Sequence, residues 1–228
     1  MSCFRVSVII PALNEEASIG RTVRSARSAE DIEVIVVDGG STDSTANEAR
    51  SAGAVVVESG KGRARQMNAG AQRATGETLV FLHADTVLTE GWRGEVDTVL
   101  STPGVSGGAF QFKLADSFAG SRFLEWGVRV RSGAFSRPYG DQALFLRKRL
   151  FCELGGYADL PIMEDYEFCR RLRRSGRLVM ARASAITSGR RWQRLGVLRT
   201  TLINSVVIIG FHLGFSPARL AELYRNAK

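Results

Sequence analysis

The sequence predicts an α/β fold built on a mostly parallel, doubly wound sheet, and two observations carry that expectation. Strand-like and helix-like segments alternate at βαβ spacing through residue 82. Two apolar strands also run into an aspartate, Val34-Ile-Val-Val37 into Asp38 and Leu79-Val-Phe-Leu82 through His83 and Ala84 into Asp85. In an open parallel sheet ligands bind beyond the carboxyl ends of the strands, so an acid there faces a ligand. Aspartate after a strand is equally a common turn or helix-capping residue, and either acid alone carries both readings.

Residues 6–10 read as a strand closed by Pro11, and residues 15–29 place Ile19, Val23 and Ala26 on one helical face, with Asn14 as the expected cap. Residues 33–37 form the second expected strand. Ser41-Thr42-Asp43-Ser44-Thr45 offers several N-caps before a helix through Ala52. A strand over 55–58, a helix over 63–75 and a strand over 78–82 complete the alternation. Beyond Asp85 the expected order is helix 91–100, strand 107–113, helix 118–131, strand 143–147, short helix 148–154 and charged helix 164–175. The chain from Arg191 is helical and partly apolar. Without repeats, low-complexity tracts or an obvious linker, the economical division is one domain over 1–190 with a C-terminal helical extension over 191–228.

At 228 residues, 44% hydrophobic and 24% charged, the chain has the make-up of a folded globular protein, and disorder is excluded. Cys3, Cys152 and Cys169 are odd in number, far apart and free of any C-x-x-C pair, which reads as free thiols in a reducing compartment. The N-terminal Met1-Ser-Cys-Phe-Arg5 enters a strand with no room for a signal peptide, so a cytoplasmic location is expected, with the inner face of the membrane as its alternative setting. The net charge of +8 is uneven: from Ala119 onward there are 20 Lys and Arg against 8 Asp and Glu. A basic half attracts phosphate in some form, nucleic acid, anionic membrane or a phosphorylated small molecule. Much of Arg170-Arg171-Leu172-Arg173-Arg174 is equally a solvated helix face.

Ser7-Val-Ile-Ile-Pro11-Ala12-Leu-Asn14-Glu15-Glu16 is explicable by itself as a strand stop, a cap and two acids at a helix's positive end. It is followed at the next strand end by Val36-Val-Asp38-Gly39-Gly-Ser-Thr-Asp43-Ser-Thr45. Together the two segments resemble the opening signatures of family 2 glycosyltransferases, P-x-x-N-E and V-V-D-x-x-S-x-D-x-T, in the same order and spacing. That resemblance implies a GT-A fold, a Rossmann-like sheet flanked by helices. It also implies that Asp38 accepts a hydrogen bond from the base of a sugar nucleotide, with Pro11, Ala12, Asn14, Glu15 and Gly39 around it.

Gly60-Lys-Gly-Arg63-Ala-Arg65-Gln-Met-Asn68-Ala-Gly70 lacks the third glycine and the acid of a dinucleotide fingerprint, and it is not a G-x-x-x-x-G-K-[ST] phosphate loop. The resemblance assigns it a basic contact to the nucleotide, Arg65 first and Arg63 second, and Asn68 as a pocket residue. Leu82-His83-Ala84-Asp85-Thr86 stands where the family has D-x-D. Asp85 is then the carboxylate for Mg²⁺ or Mn²⁺, Ala84 a neighbour of the nucleotide, and His83 a departure at the first acid. Histidine suits Mn²⁺ better than Mg²⁺, and a donor to a ribose or backbone oxygen is the favoured role for it.

Pro161-Ile-Met-Glu164-Asp165-Tyr-Glu167-Phe-Cys-Arg170-Arg171 is no more than dipole compensation when read alone. It resembles the family's E-D-x-x-x-x-x-R element, which implies Asp165 as the base that deprotonates the acceptor hydroxyl, with inversion at the anomeric carbon, and Glu164 beside it. Gly140 and Asp141, and Arg191 and Trp192 in Ser188-Gly-Arg190-Arg191-Trp192, are the acceptor or sugar candidates. No histidine lies in that last loop, where some family members complete the metal site. More narrowly, the run from Gly62 to Ala71, Leu82-His-Ala-Asp-Thr86 and S-x-R-R-W resemble a bacterial subgroup associated with radical-SAM/selenodomain proteins and named for arsenosugar biosynthesis.

The partners implied are a UDP- or GDP-sugar and a hydroxyl acceptor, with no nucleic acid. Residues 202–215 are the most apolar stretch, too short to span a bilayer, and suit a core or dimer-interface helix first and an interfacial membrane helix second, given Arg194, Arg199 and Arg219 around it. Two rival functions remain. A sugar-nucleotide pyrophosphorylase needs a glycine-rich loop after the first strand, where Pro11-Ala-Leu-Asn14 stands. A non-enzymatic basic module would bind nucleic acid or membrane indifferently to Asp85 and Asp165.

Overall fold

The computed structural model describes residues 5–116, 118, 120, 121, 124, 125 and 142–227. The expected helix over 118–131 falls almost wholly outside them, as do Cys3, Gly140 and Asp141. Strand β1 (Val6–Ala12) leads through helix α1 (Glu16–Ala26) to β2 (Ile32–Asp38), and α2 (Thr45–Ser51) leads to β3 (Val55–Glu58). Helix α3 (Arg63–Arg73) then carries the chain back across the sheet to β4 (Thr78–Phe81). After β4 come β5 (Thr86–Leu88), α4 (Trp92–Ser101), β6 (Val105–Leu114), β7 (Phe145–Arg147), α5 (Lys148–Glu153), α6 (Glu164–Leu172) and β8 (Arg177–Thr187). Helices α7 (Arg190–Leu195), α8 (Val197–His212) and α9 (Pro217–Asn226) end the described chain.

Among the described residues, eight strands form one sheet in the order β3-β2-β1-β4-β7-β6-β8-β5. The first four are mutually parallel, β7 runs against both β4 and β6, β8 is parallel to β6, and β5 closes the edge antiparallel to β8. The expected parallel, doubly wound half is therefore present, joined to a mixed half. Strand parity sorts the core into two layers. Val8, Ile10, Val34, Val36, Val80 and Leu82 face α1, α2 and α4. Ile9, Ile35, Val37, Leu79 and Phe81 face α3, α5 and α6. Strands buried on both faces read as unbroken apolar runs, which is why residues 34–37 and 79–82 lack polar alternation.

The sequence reading missed β5 and β8. At three residues β5 is too short to show a period, and β8 (Arg-Leu-Val-Met-Ala-Arg-Ala-Ser-Ala-Ile-Thr) has small residues where alternation would be diagnostic. Pairing with β6 over residues 105–114 supplies what local propensity does not.

Asn14 does not cap α1, contrary to the sequence reading. The N-cap position is Glu15, with no side-chain cap of its own. The turn after β2 does the capping instead. Ser41 Oγ accepts from the Asn14 N–H at 2.9 Å, Thr45 Oγ1 from the Glu15 N–H at 2.7 Å and Asp43 Oδ2 from the Glu16 N–H at 3.3 Å. In return, Asn14 Oδ1 accepts from the Thr42 N–H and Glu16 Oε2 from the Ser44 N–H, each at 2.9 Å. These reciprocal bonds satisfy the first N–H of α1 and the loop N–H groups ahead of α1 and α2, which locks together the loops beyond β1 and β2.

Candidate active site

The chain leaves β1 toward β2 and β3 on one side and returns to β4 on the other, so the sheet has its topological switch between β1 and β4. Ligands bind in the crevice at such a point. Pro11 closes β1 there and His83 follows β4. A cavity at this place is lined by Pro11, Arg63, His83, Tyr157, Asp165 and Cys169, bringing together β1, α3, the end of β4 and α6.

Helix α3 is held against the strand ends by two features. Gly70 lies so close to the sheet that an added Cβ would sit 2.4 Å from Ile9 Cγ2. Buried Gln66 donates from Nε2 to the carbonyls of Ala12 and Val37, both at 2.8 Å, clamping the ends of β1 and β2 together. The Gln66 amide also packs on Gly39, where a Cβ would stand 3.0 Å away. Gly40 follows at φ +89°, a left-handed turn open to glycine without strain. Asp38 is buried at the head of this turn, and its carboxylate accepts from the Ser41 N–H and hydroxyl.

The two arginines of α3 part company. Arg63 lines the cavity, with Nη1 3.4 Å from Glu164 Oε1, whereas exposed Arg65 grips Asp159 through Nε and Nη2 at 3.0 and 2.8 Å. Glu164 is buried, and lost hydration pushes its carboxyl above the ordinary range; Arg63 opposes that shift and Asp165 adds to it. Asp165 occupies the second position of α6, and its Oδ1 accepts from the Tyr166 N–H at 2.7 Å. Asn68 pairs with the backbone of Tyr157, donating to its carbonyl at 2.8 Å and accepting from its N–H at 2.9 Å, so it anchors the loop ahead of α6. Desolvation, with the charge of Arg63 second, lowers the pKa of His83 to about 3, and its ring is neutral at physiological pH.

Asp85 stands apart from this cavity. Arg190 Nη2 lies 3.4 Å from its Oδ2 and 2.9 Å from Glu15 Oε2, so one guanidinium joins the β1, β4 and β8 ends of the site. The hydroxyls of Thr86 and Thr187 approach Asp85 Oδ1 at 3.5 Å. Buried Ala84 gives its carbonyl to the Thr22 hydroxyl at 2.9 Å, which fixes the segment bearing Asp85 onto α1.

These acids and arginines ring the carboxyl ends of β1, β2 and β4, and the same segments carry a family signature: the model for glycosyl transferase family 2 matches residues 7–139. The chain belongs to glycosyl transferase family 2. It is 31% identical over 176 residues to a PGL/p-HBAD biosynthesis glycosyltransferase of Mycobacterium bovis, an overlap of 71% of this chain and 67% of that one. The fold superposes on S. aureus TarS (residues 1–349) in complex with UDP, with a TM-score of 0.62 at 18% identity, over 81% of this chain and 60% of that chain. It superposes equally, at 0.62 and 18%, on the mannosyltransferase PcManGT from Pyrobaculum calidifontis in complex with GDP-Man and Mn²⁺, over 97% and 68%. The architecture is thus the GT-A fold of glycosyltransferases.

Within this family 2 framework, the remaining candidates are placed as follows. Trp192 packs edge-on against Phe112 of β6, ring centroids 5.8 Å apart. The side chain of Arg191 lies outside the described residues, together with Gly140 and Asp141. No group of three or more His, Cys, Asp or Glu side chains gathers for a metal among the described residues. A single carboxylate still suits a hard ion shared with phosphate oxygens. Asp85 fits that chemistry, since a cationic group already sits against it. Sequence reasoning missed Gln66 and Arg190. Gln66 hides in a helix with no unusual pattern, and Arg190 lay inside a basic run in which no one arginine stood out.

Proposed function

We propose that the protein is an inverting, metal-assisted glycosyltransferase that moves a sugar from a nucleoside diphosphate, UDP or GDP, to an acceptor hydroxyl. The observation that carries the reading is the convergence of Asp165, Arg63 and His83 on one cavity at the switch point, with Asp38 at the end of β2 and Asp85 beyond β4 at the same edge of the sheet. Complexes of the similar folds with UDP and with GDP-Man and Mn²⁺ support it.

In this reading Asp38 and the Gly39-Gly40 turn receive the base, beside Pro11, Ala12 and the Asn14-Glu15 loop. Asp165 takes the proton of the acceptor hydroxyl. The resulting oxygen bonds to the anomeric carbon from the face opposite the diphosphate, whose C–O bond breaks, and the configuration inverts. Arg63 and Arg190 offer positive charge to the departing diphosphate, where negative charge develops. Mg²⁺ or Mn²⁺ at Asp85 would supply further Lewis-acid stabilisation there. Neutral His83 offers a hydrogen bond to ribose or backbone oxygen, and Arg65 serves the surface pair with Asp159 ahead of the nucleotide.

We read residues 1–190 as the catalytic unit, 191–228 as an extension, and the unpaired Cys152 and Cys169 as thiols of a reducing cytoplasm. The narrower kinship to the radical-SAM/selenodomain-associated, arsenosugar-named subgroup rests on its three motifs alone.

The test is Asp165→Asn, after a thermal-shift screen of nucleotide sugars with and without Mn²⁺ has identified the donor. Transfer should fall by about a thousandfold or more while donor affinity holds, general-base loss being worth roughly 10² to 10⁴. Turnover retained by the variant, or an axial product from an axial donor, overturns the assignment.

A further inference from the structure

Helix α8 carries apolar residues on two opposite sides, and among the described residues only one of these is covered. Thr200 and Val207 are buried, and Val207 packs with Met163, Tyr166 and Leu220. Opposite them, Leu198 is 81% exposed, Leu202 65% and Ile209 57%, with Val206 between them also exposed. These four positions fall within an arc of roughly 80° on a helix of 3.6 residues per turn. Leu213 and Phe215 continue the strip into the turn before α9, 71% and 53% exposed. A second apolar face belongs against a core or in lipid, and among the described residues this one has no core against it.

The chain on either side of the strip is cationic. From Arg190 to the end the sequence holds six arginines and a lysine against one acid, Glu222. Arg194, Arg199, Arg219 and Arg225 are all exposed and belong to none of the ion pairs among the described residues. On the helical wheel Arg199 borders the apolar arc directly. No helix of the described residues is long and apolar enough to cross a membrane, and α8 has 16 residues where about 20 span a bilayer.

We propose that the exposed face of α8, with the α8–α9 turn, lies on the surface of an anionic lipid bilayer, its leucines and Phe215 among the acyl chains and its arginines among the headgroup phosphates. Charge selects this occupant over a second copy of the chain. A two-fold interface would bring the arginines of both copies together with Glu222 alone from each segment to offset them, whereas anionic headgroups neutralise every one of them. The face is tied to the cavity mechanically. The Tyr166 hydroxyl, one residue from Asp165, donates to His212 Nε2 at 2.9 Å, because His212 Nδ1 is committed as donor to the Ile208 carbonyl.

The experiment is co-sedimentation of the full chain with vesicles of phosphatidylcholine alone and of phosphatidylcholine with phosphatidylglycerol. Binding should require the anionic lipid. Leu202→Glu with Ile209→Glu should abolish it without lowering the melting temperature, both positions being exposed. Arg199→Gln and Arg219→Gln should each weaken it about 5-fold, at about 1 kcal/mol per cation near the surface. Failure to bind anionic vesicles, or a stable dimer in ultracentrifugation that Leu202→Glu dissociates, overturns the proposal. Neither readout depends on the catalytic assignment.

Discussion

The guanidinium of Arg190 lies 3.4 Å from the carboxylate of Asp85, and its other anchor, Glu15, is 2.9 Å away. Arg190 therefore stands where a cation at Asp85 would stand. If Asp85 holds the metal as proposed, the two compete for one carboxylate in the nucleotide-free protein. Arg190→Gln should strengthen Mn²⁺ binding to the nucleotide-free protein about 2- to 5-fold by calorimetry, a modest gain because the pair is partly exposed. Unchanged or weaker Mn²⁺ binding would show that the guanidinium does not occupy the ion's place.

Arg63 and Glu164 form a pair of unequal burial, 49% and 6% exposed at the side chain. Glu164 already has a raised pKa, so its carboxylate charge costs stability as pH rises through the folded value, and that cost is absent below the ordinary value of 4.5. Arg63→Gln removes the opposing charge and should steepen the loss by about 1–2 kcal/mol between pH 5 and 8, a figure reduced for the exposure of Arg63. Adding Glu164→Gln should flatten the profile again in thermal melts. Parallel profiles for Arg63→Gln and the unaltered protein would contradict this.

His83 works in the opposite sense. Its folded pKa of about 3 lies below the ordinary 6.5, so the unfolded chain binds more protons between those values. Stability due to this group is complete above pH 6.5 and drains away as pH falls toward 3. His83→Asn should lose less melting temperature than the unaltered protein between pH 6.5 and 5, a window above the ordinary range of carboxylates. Identical slopes there would mean that the ring is hydrated and titrates normally.

Gln66 joins the ends of two strands by two buried hydrogen bonds. Gln66→Leu keeps the volume and removes both, at about 1 kcal/mol each. A fall in melting temperature of roughly 4–8 °C is expected for a chain of this size. Donor affinity should fall alongside, because Asp38 and Gly39 follow directly from the clamped strand. A destabilised variant with undiminished donor affinity would separate the clamp from the pocket.

The half of the molecule that carries the family signatures was legible because its information is local. Unbroken apolar runs announce strands buried on both faces, and Pro11, the 41–45 turn and Gly70 mark where each must end or come close. Strand β8 and β5 were not legible, since their partners lie far along the chain and their own residues prefer no structure strongly. Asn14 shows the same limit at smaller scale. Its identity suits a cap, but the turn beyond β2 lay nearer to the open N–H groups, and the asparagine reached across to that turn instead.

By itself, then, the sequence determined the alternation of elements, the family, and which acids sit at strand ends, because all of these depend on residues within a few positions of one another. Only the tertiary structure decided that Arg63 and not Arg65 meets the cavity, that Arg190 reaches Asp85, and that α8 keeps an uncovered apolar face. Each of those depends on distances between residues far apart in sequence, which exist only once the sheet has brought its strand ends together.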